Sequence, residues 1–236
     1  MPASSPTAAA PPLKIFGVPF SVHTRKVIVA ARLKSIPYEV VPVVPVIPDN
    51  PPANWRDISP TGLIPAIDDD GFVLCDSTAI VLYFERRVAE PALLPADARD
   101  YGRALSLDAW AGSALFRRIV HPIFHHQVVS PQVHGKPGEA LVIEQALTRA
   151  APEAFDYLER LSPQRFLVGQ RLSIADLAVV SNLLVLGYLG HRVDSARFPR
   201  LAAYFRKHLE LPALKAVLRA ERPFVEKMGL DSSFID

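Results

Sequence analysis

The sequence is short of cysteine: its 236 residues contain one, Cys75. A single thiol excludes an intramolecular disulfide and any metal centre built from several cysteines. It is compatible with a reducing, cytoplasmic setting. Charge of either sign is also not in excess. Lys and Arg number 26 against 24 Asp and Glu, a formal net charge of +2, so no nucleic-acid partner is implied. Membrane-length apolar runs are missing too. The longest run, Ala175 to Leu189, is broken by Ser181, Asn182 and Gly187 and is too polar to span a bilayer. Residues Met1 to Pro12 have no basic start and no apolar h-region, so they do not read as a secretory signal. Their Ala, Ser and Pro content predicts a disordered tail. No internal repeat is visible.

What is present is a large apolar fraction. Half of the residues are hydrophobic, enough for a sizeable core, and the length fits one large or two small domains. Leu13–Phe16 reads as a first strand, stopped by Gly17. Val22 to Leu33 has apolar Val27, Ile28, Ala31 and Leu33 at helical spacing, with Arg25, Lys26 and Arg32 between them. Pro37 ends this element. The β-branched run from Tyr38 to Val44 predicts a second strand, and Pro42 confines it to a sheet edge. Strand, helix, strand implies a parallel pair with a right-handed crossover. Trp55–Ile58 is a short helix or turn.

The stretch from Ser59 to Ile80 organises the rest. Pro60 and Gly62 mark a turn, and Ala66–Ile67 begins a strand. Asp70–Gly71 supplies hairpin chemistry, and Phe72–Cys75 returns as a strand with Cys75 as an inert core thiol. Asp76 and Ser77 then open a helix. Ile64–Pro65 stands just before a strand. A cis peptide there would leave the Ile64 N–H and C=O free for a guest strand. A helix start at Asp76–Ser77 favours a bound carboxylate.

Gly62-Leu-Ile-Pro-Ala66, followed by Asp76-Ser-Thr-Ala-Ile80, resembles the glutathione-site core of the cytosolic glutathione transferase family. In that pattern Ser59 stands for the usual Asn, Leu63 for a Lys or Gln, and Asp76 for Glu. Gly169-Gln-Arg-Leu-Ser-Ile-Ala-Asp176 is similar to the family's folding motif, with Ser173 and Asp176 forming a capping box. Ser21, six positions before Val27 with Lys26 just ahead of that valine, is similar to the catalytic serine of theta-, delta- and phi-like members.

The resemblance implies a thioredoxin-like βαβ-ββα domain over residues 13–90, a linker over 91–96 and an all-helical domain over 97–236. The second strand is then a sheet edge, in agreement with Pro42. After the linker the pattern predicts a helix from Asp97 to about Val128, open to interruption at Pro122, and a loop from Val129 to Pro137. A helix from Gly138 to Leu161 kinked near Pro152, a buried helix after Ser173, and closing helices Phe198–Leu209 and Leu211–Phe224 complete the expectation.

For function, the resemblance implies binding of glutathione as co-substrate and its transfer to a small hydrophobic electrophile, with peroxide reduction as a side activity. Ser21 donates a hydrogen bond to the sulfur and stabilises the thiolate. The Ile64 backbone beside Pro65 pairs with the cysteinyl unit. Asp76 meets the ammonium, Ser77 the γ-glutamyl carboxylate, and Asn50 the glycyl end. Phe20, Phe116 and Val120 are expected to line the electrophile pocket. A homodimer is implied, without nucleic acid, membrane or metal. Two alternatives stay open: a non-catalytic glutathione or hydrophobic-ligand binder, and a glutathione-dependent isomerase. The isomerases' Ser-Ser loop is absent, since Phe20 precedes Ser21.

Competing signals are weaker. His121, His125, His126 and His134 cluster, and His121 with His125 at i, i+4 suits a metal clip. No third ligand is apparent, so solvated or pocket histidines are expected. Asp68–Gly71 lacks the length and the downstream Glu of a calcium loop and reads as a turn. Arg86 and Arg87 face a dimer contact or water.

Overall fold

The structure is a computed structural model that describes residues 12–161 and 165–235. Apart from Pro12, the expected disordered tail lies outside the described residues. The first half contains β1 (Leu13–Phe16), α1 (Val22–Leu33), β2 (Tyr38–Val41), the single turn α2 (Trp55–Ile58), β3 (Ala66–Asp69), β4 (Phe72–Cys75) and α3 (Ser77–Arg87). The sheet order is β2-β1-β3-β4, with β1 and β2 parallel and the other pairs antiparallel. This is the thioredoxin-like arrangement, and β2 is an edge as Pro42 requires. The strand stops at Val41, earlier than the expected Val44, because Pro42 has no N–H to continue the ladder.

Local chemistry fixes the hairpin. Asp70 and Gly71 both have positive φ, 52° and 87°, and the Gly71 N–H donates to Asp68 Oδ1 at 2.8 Å. Positive φ at both central positions matches the right-handed twist of the two strands. Arg86 and Arg87 were expected at a dimer contact or in water; Arg87 is ion-paired with Asp69, which also accepts from the Tyr83 hydroxyl at 2.5 Å. Cys75 corrects its expectation. It is the last residue of β4, half-buried against a small cluster that includes Phe16, Trp55 and Ala66, and is not a core thiol.

The second half is helical: α4 (98–132), α5 (140–160), α6 (Ile174–Tyr188), α7 (Pro199–Leu209) and α8 (Pro212–Lys227). Pro122 does not interrupt α4, and the loop expected from Val129 starts only after residue 132. The reason is a repeated device. The N–H groups of His121, Ser130 and Ala151 donate to carbonyls five residues back, on Phe116, His125 and Ala146. Each wide turn lies just ahead of a proline, Pro122, Pro131 or Pro152. Widening the turn moves the preceding carbonyl away from the pyrrolidine ring, so the helix passes the proline.

Every residue of α6 is buried, and the helix packs against both α1 and α4. Its start is held by Asp176, whose Oδ2 accepts from the Ser173 N–H and hydroxyl at 2.8 and 2.9 Å. Asp176 Oδ1 accepts from Leu167 N–H and from the Tyr204 hydroxyl. Burial pushes the Asp176 carboxyl up from the usual carboxylate range, and these donors oppose that shift. The acid therefore caps α6 and ties α7 to it at once.

Two further polar joints connect the halves through α1. Lys26 donates to Asp108 Oδ1 at 2.7 Å and to Thr78 Oγ1 at 3.1 Å, and Thr78 donates to Asp108 Oδ2 at 2.5 Å. Arg25, fully buried, forms a two-pronged pair with Glu221, 3.0 Å on each prong. Such cations are sustainable inside a core only when paired and fully hydrogen-bonded.

A candidate glutathione site at one end of the sheet

The strand register collects the candidate residues. Phe16 stands opposite Ala66, and Ala66 stands opposite Cys75. These three residues form one row across the end of the sheet. The loop carrying Ser21 leaves from Phe16, the Ile64–Pro65 bend enters at Ala66, and Asp76 with Ser77 follows Cys75. Residues far apart in sequence therefore emerge side by side.

Ser21 is the N-cap of α1 and is half-buried. Its Oγ accepts from the Thr24 N–H at 3.4 Å, a long and weak bond, and its hydroxyl proton is committed to no acceptor among the described residues. At the bend, the Ile64–Pro65 peptide is cis. The approach to it is pinned from behind: Trp55 Nε1 donates to Gly62 O at 3.0 Å, and the buried Ser59 hydroxyl donates to Leu63 O at 2.7 Å. Ile64 enters no hydrogen bond among the described residues, so its N–H and C=O lie outside the ladder.

Asp76 starts α3. Its Oδ1 accepts from the Thr78 and Ala79 N–H groups at 2.9 and 3.0 Å. Its φ is +76°, a left-handed value that a non-glycine residue holds only where the surroundings dictate it. Ser77 is buried in the first turn. Its Oγ lies 3.4 Å from His23 Nδ1. His23 stands two residues after Ser21, so this contact links the starts of α1 and α3.

His23 was absent from the sequence-derived candidates. Its ring meets Phe116 edge-on, with centroids 4.6 Å apart. Burial and the neighbouring Lys26 lower its pKa to about 4, with Arg117 acting the same way and Asp108 and Asp76 opposing. It is therefore a neutral imidazole at neutral pH. Position alone was the available signal, since it shares the first turn of α1 with Ser21.

The other expected residues fall in different surroundings. Phe116 is half-buried against His23. Phe20 and Val120 are core residues; Phe20 packs on Phe124, Tyr188 and Phe224. Asn50 is exposed, and its Oδ1 accepts from the Val44 N–H at 2.6 Å, closing the loop between them. His125 has the rings of His121, His126 and His134 around it at 4.9 to 6.2 Å. Among the described residues no group of three or more His, Cys, Asp or Glu side chains is arranged to hold a metal ion. Among them, too, no helix is long and apolar enough to cross a membrane.

The family model described as "Glutathione S-transferase, N-terminal domain" matches residues 15–92, and "Glutathione S-transferase, C-terminal domain" matches residues 124–221. The chain belongs to the glutathione S-transferase family. Its relatives within that family are distant. It is 30% identical over 169 residues to glutathione S-transferase 3 of Zea mays, covering 70% of this chain and 74% of that one. It is 26% identical to glutathione S-transferase Z2 of Arabidopsis thaliana, covering 89% of this chain and 92% of that one. The fold of apo human glutathione-S-transferase T1-1 superposes with a TM-score of 0.79 at 24% identity, covering 92% and 90% of the two chains. A similar fold, TM-score 0.80 at 22% identity over 89% and 92%, is that of FzlA from C. crescentus.

Proposed function

We propose that this chain is a cytoplasmic glutathione transferase that binds glutathione along the sheet end and transfers its sulfur to a small hydrophobic electrophile. The observation that supports this reading is the Phe16–Ala66–Cys75 row, which gathers Ser21, Ile64 and the Asp76–Ser77 pair at one edge. The cysteinyl backbone of the tripeptide adds to Ile64 as a short guest strand. Its γ-glutamyl carboxylate takes the Ser77 hydroxyl and the positive end of α3, and its ammonium takes the free oxygen of Asp76. Asn50 is assigned to the glycyl end, through its amide nitrogen.

A free thiol with a pKa of about 8.5 is only about 3% ionised at neutral pH. The uncommitted Ser21 proton and the start of α1 stabilise the anion. A drop of about one to two pH units raises the thiolate fraction about tenfold or more. The thiol proton leaves to water, and Ser21 keeps its own. The thiolate pair then forms the carbon–sulfur bond as the leaving group departs with its electrons. Phe116, which meets the His23 ring edge-on, is assigned to the wall of the electrophile pocket. The chain is assigned as a homodimer, measurable by light scattering.

The test is glutathione binding by calorimetry followed by turnover over a panel of halogenated aromatics, enones and peroxides, with Ser21→Ala alongside. Binding with turnover that collapses in the variant supports the assignment; unchanged turnover in the variant overturns the role of Ser21. A second reading rests on Leu63, whose side chain is 65% exposed beside the bend and offers the tripeptide no polar group. On that reading the chain is a glutathione-binding protein without turnover, recognisable by retention on immobilised glutathione and silence across the panel.

A further inference from the structure

The peptide plane that enters Ser21 is held at both of its polar atoms. Its N–H, on Ser21, donates to Val18 O at 3.0 Å. Its C=O, on Phe20, accepts from Arg25 Nη2 at 3.1 Å. The guanidinium is itself fixed on every side. Nη1 donates to Ser181 O on α6 at 3.0 Å. Nε and Nη2 donate to the two oxygens of Glu221 on α8, which also accepts from the Tyr188 hydroxyl at 2.5 Å. The ring of Tyr188 lies 5.8 Å from the guanidinium carbon. Arg25 and Glu221 are both fully buried, so water cannot substitute for any of these bonds.

A pair placed only to join two halves needs a carboxylate and a cation. This one also spends a guanidinium donor on the single carbonyl preceding the candidate hydroxyl. Resting on the reading of Ser21 given above, we propose that Arg25 is a positioning residue: braced by Glu221 and Tyr188, it orients the Phe20–Ser21 peptide and so aims the Ser21 hydroxyl at the bound sulfur. The helical half, through α6 and α8, thereby sets the geometry of a group carried by the thioredoxin-like half. A fork is needed for this. A lysine at position 25 carries the charge to Glu221 but cannot hold Glu221, Ser181 O and Phe20 O together.

Four variants test it, read by the ultraviolet absorbance of the bound thiolate across pH and by steady-state kinetics. Arg25→Met with Glu221→Leu removes both charges together, leaving neither ion stranded in the core, and so retains the fold. Its bound thiol should titrate about one pH unit higher than in the parent, with turnover near pH 6.5 down about tenfold and the KM for glutathione changed less than about twofold. Arg25→Lys should show the same shift of titration. Val217→Ala, at a buried position of α8 but outside the network, should lower Tm and leave the titration where it was.

A folded double variant that titrates and turns over like the parent overturns the proposal. So does a Val217→Ala protein whose titration moves as far as the double variant's, because destabilisation alone would then explain the effect. Ser21→Ala separates this from the underlying reading. If the parent has no thiolate band, or if Ser21→Ala retains it, the reading of the site fails and the proposal with it. A band that is lost in Ser21→Ala but unmoved in the double variant defeats the positioning role alone.

Discussion

Two helices open at the end of the sheet, and they are started in different ways. α3 is capped firmly, with one oxygen of Asp76 accepting from two N–H groups at about 3 Å. α1 is capped loosely, by a serine oxygen 3.4 Å from its donor. The firm cap commits one carboxylate oxygen to the helix. The loose cap leaves a hydroxyl whose proton faces no protein acceptor among the described residues. One helix start is thus built chiefly to hold a chain end in place, the other to present a donor. The α1 cap contributes little to folding and, on the proposed reading, much to chemistry.

The largest expected effect breaks the loose cap. Ser21→Ala should lower turnover about ten- to a hundredfold as the thiolate fraction falls, with glutathione affinity nearly kept. Stability should drop by only about 0.5 kcal/mol, the low end for a cap, or about 1–2 °C in Tm. A thermal shift several times larger, with turnover intact, would reverse the comparison. Next, Ser77→Ala should raise the glutathione KM about tenfold by removing a hydrogen bond to a charged group, with kcat held. Asp76→Asn sharpens the contrast at the firm cap. Asparagine caps as well as aspartate, so Tm should stay within about 1 °C. The lost carboxylate should still raise the KM about fivefold.

The smallest effect concerns His23, the bridge between the two starts. Its proton affinity is lower in the folded chain, with a pKa of about 4 against about 6.5 unfolded. As pH falls from about 6.5 to 4, the unfolded chain takes up a proton that the folded chain does not. Stability must therefore fall through that window and level off below it. His23→Asn should lose about 1 kcal/mol less than the parent between pH 7 and about pH 5.5 in urea titrations. Equal losses in both proteins would place the titration elsewhere.

Punctuation decided how much of this was legible in the sequence. Gly17 and Pro37 bracket β1 and α1, and both elements fall where the pattern predicts. Asp-Gly fixed the hairpin, and Ser173 with Asp176 marked α6. The prolines of α4 were misleading for a physical reason: a proline's missing N–H is legible, but the wider turn that accommodates it is made by the neighbours. Phe20 and Val120 look like pocket-lining residues from their place in the chain, yet packing takes them into the core. In the sequence His23, Arg25 and Lys26 are simply polar positions among the apolar ones of α1. Their surroundings come from Ser77, Glu221 and Asp108, at separations of 54, 196 and 82 residues. Periodicity within α1 carries no trace of such distant partners.

The adjacent cations Arg25 and Lys26 restrict what can be exchanged between members of this family. Grafting a foreign helical half onto this sheet, to change which electrophiles are accepted, strands both charges unless the donor supplies an acid opposite each one. Chimeras that respect the linker but ignore positions 108 and 221 should fail to fold before their selectivity can be assayed.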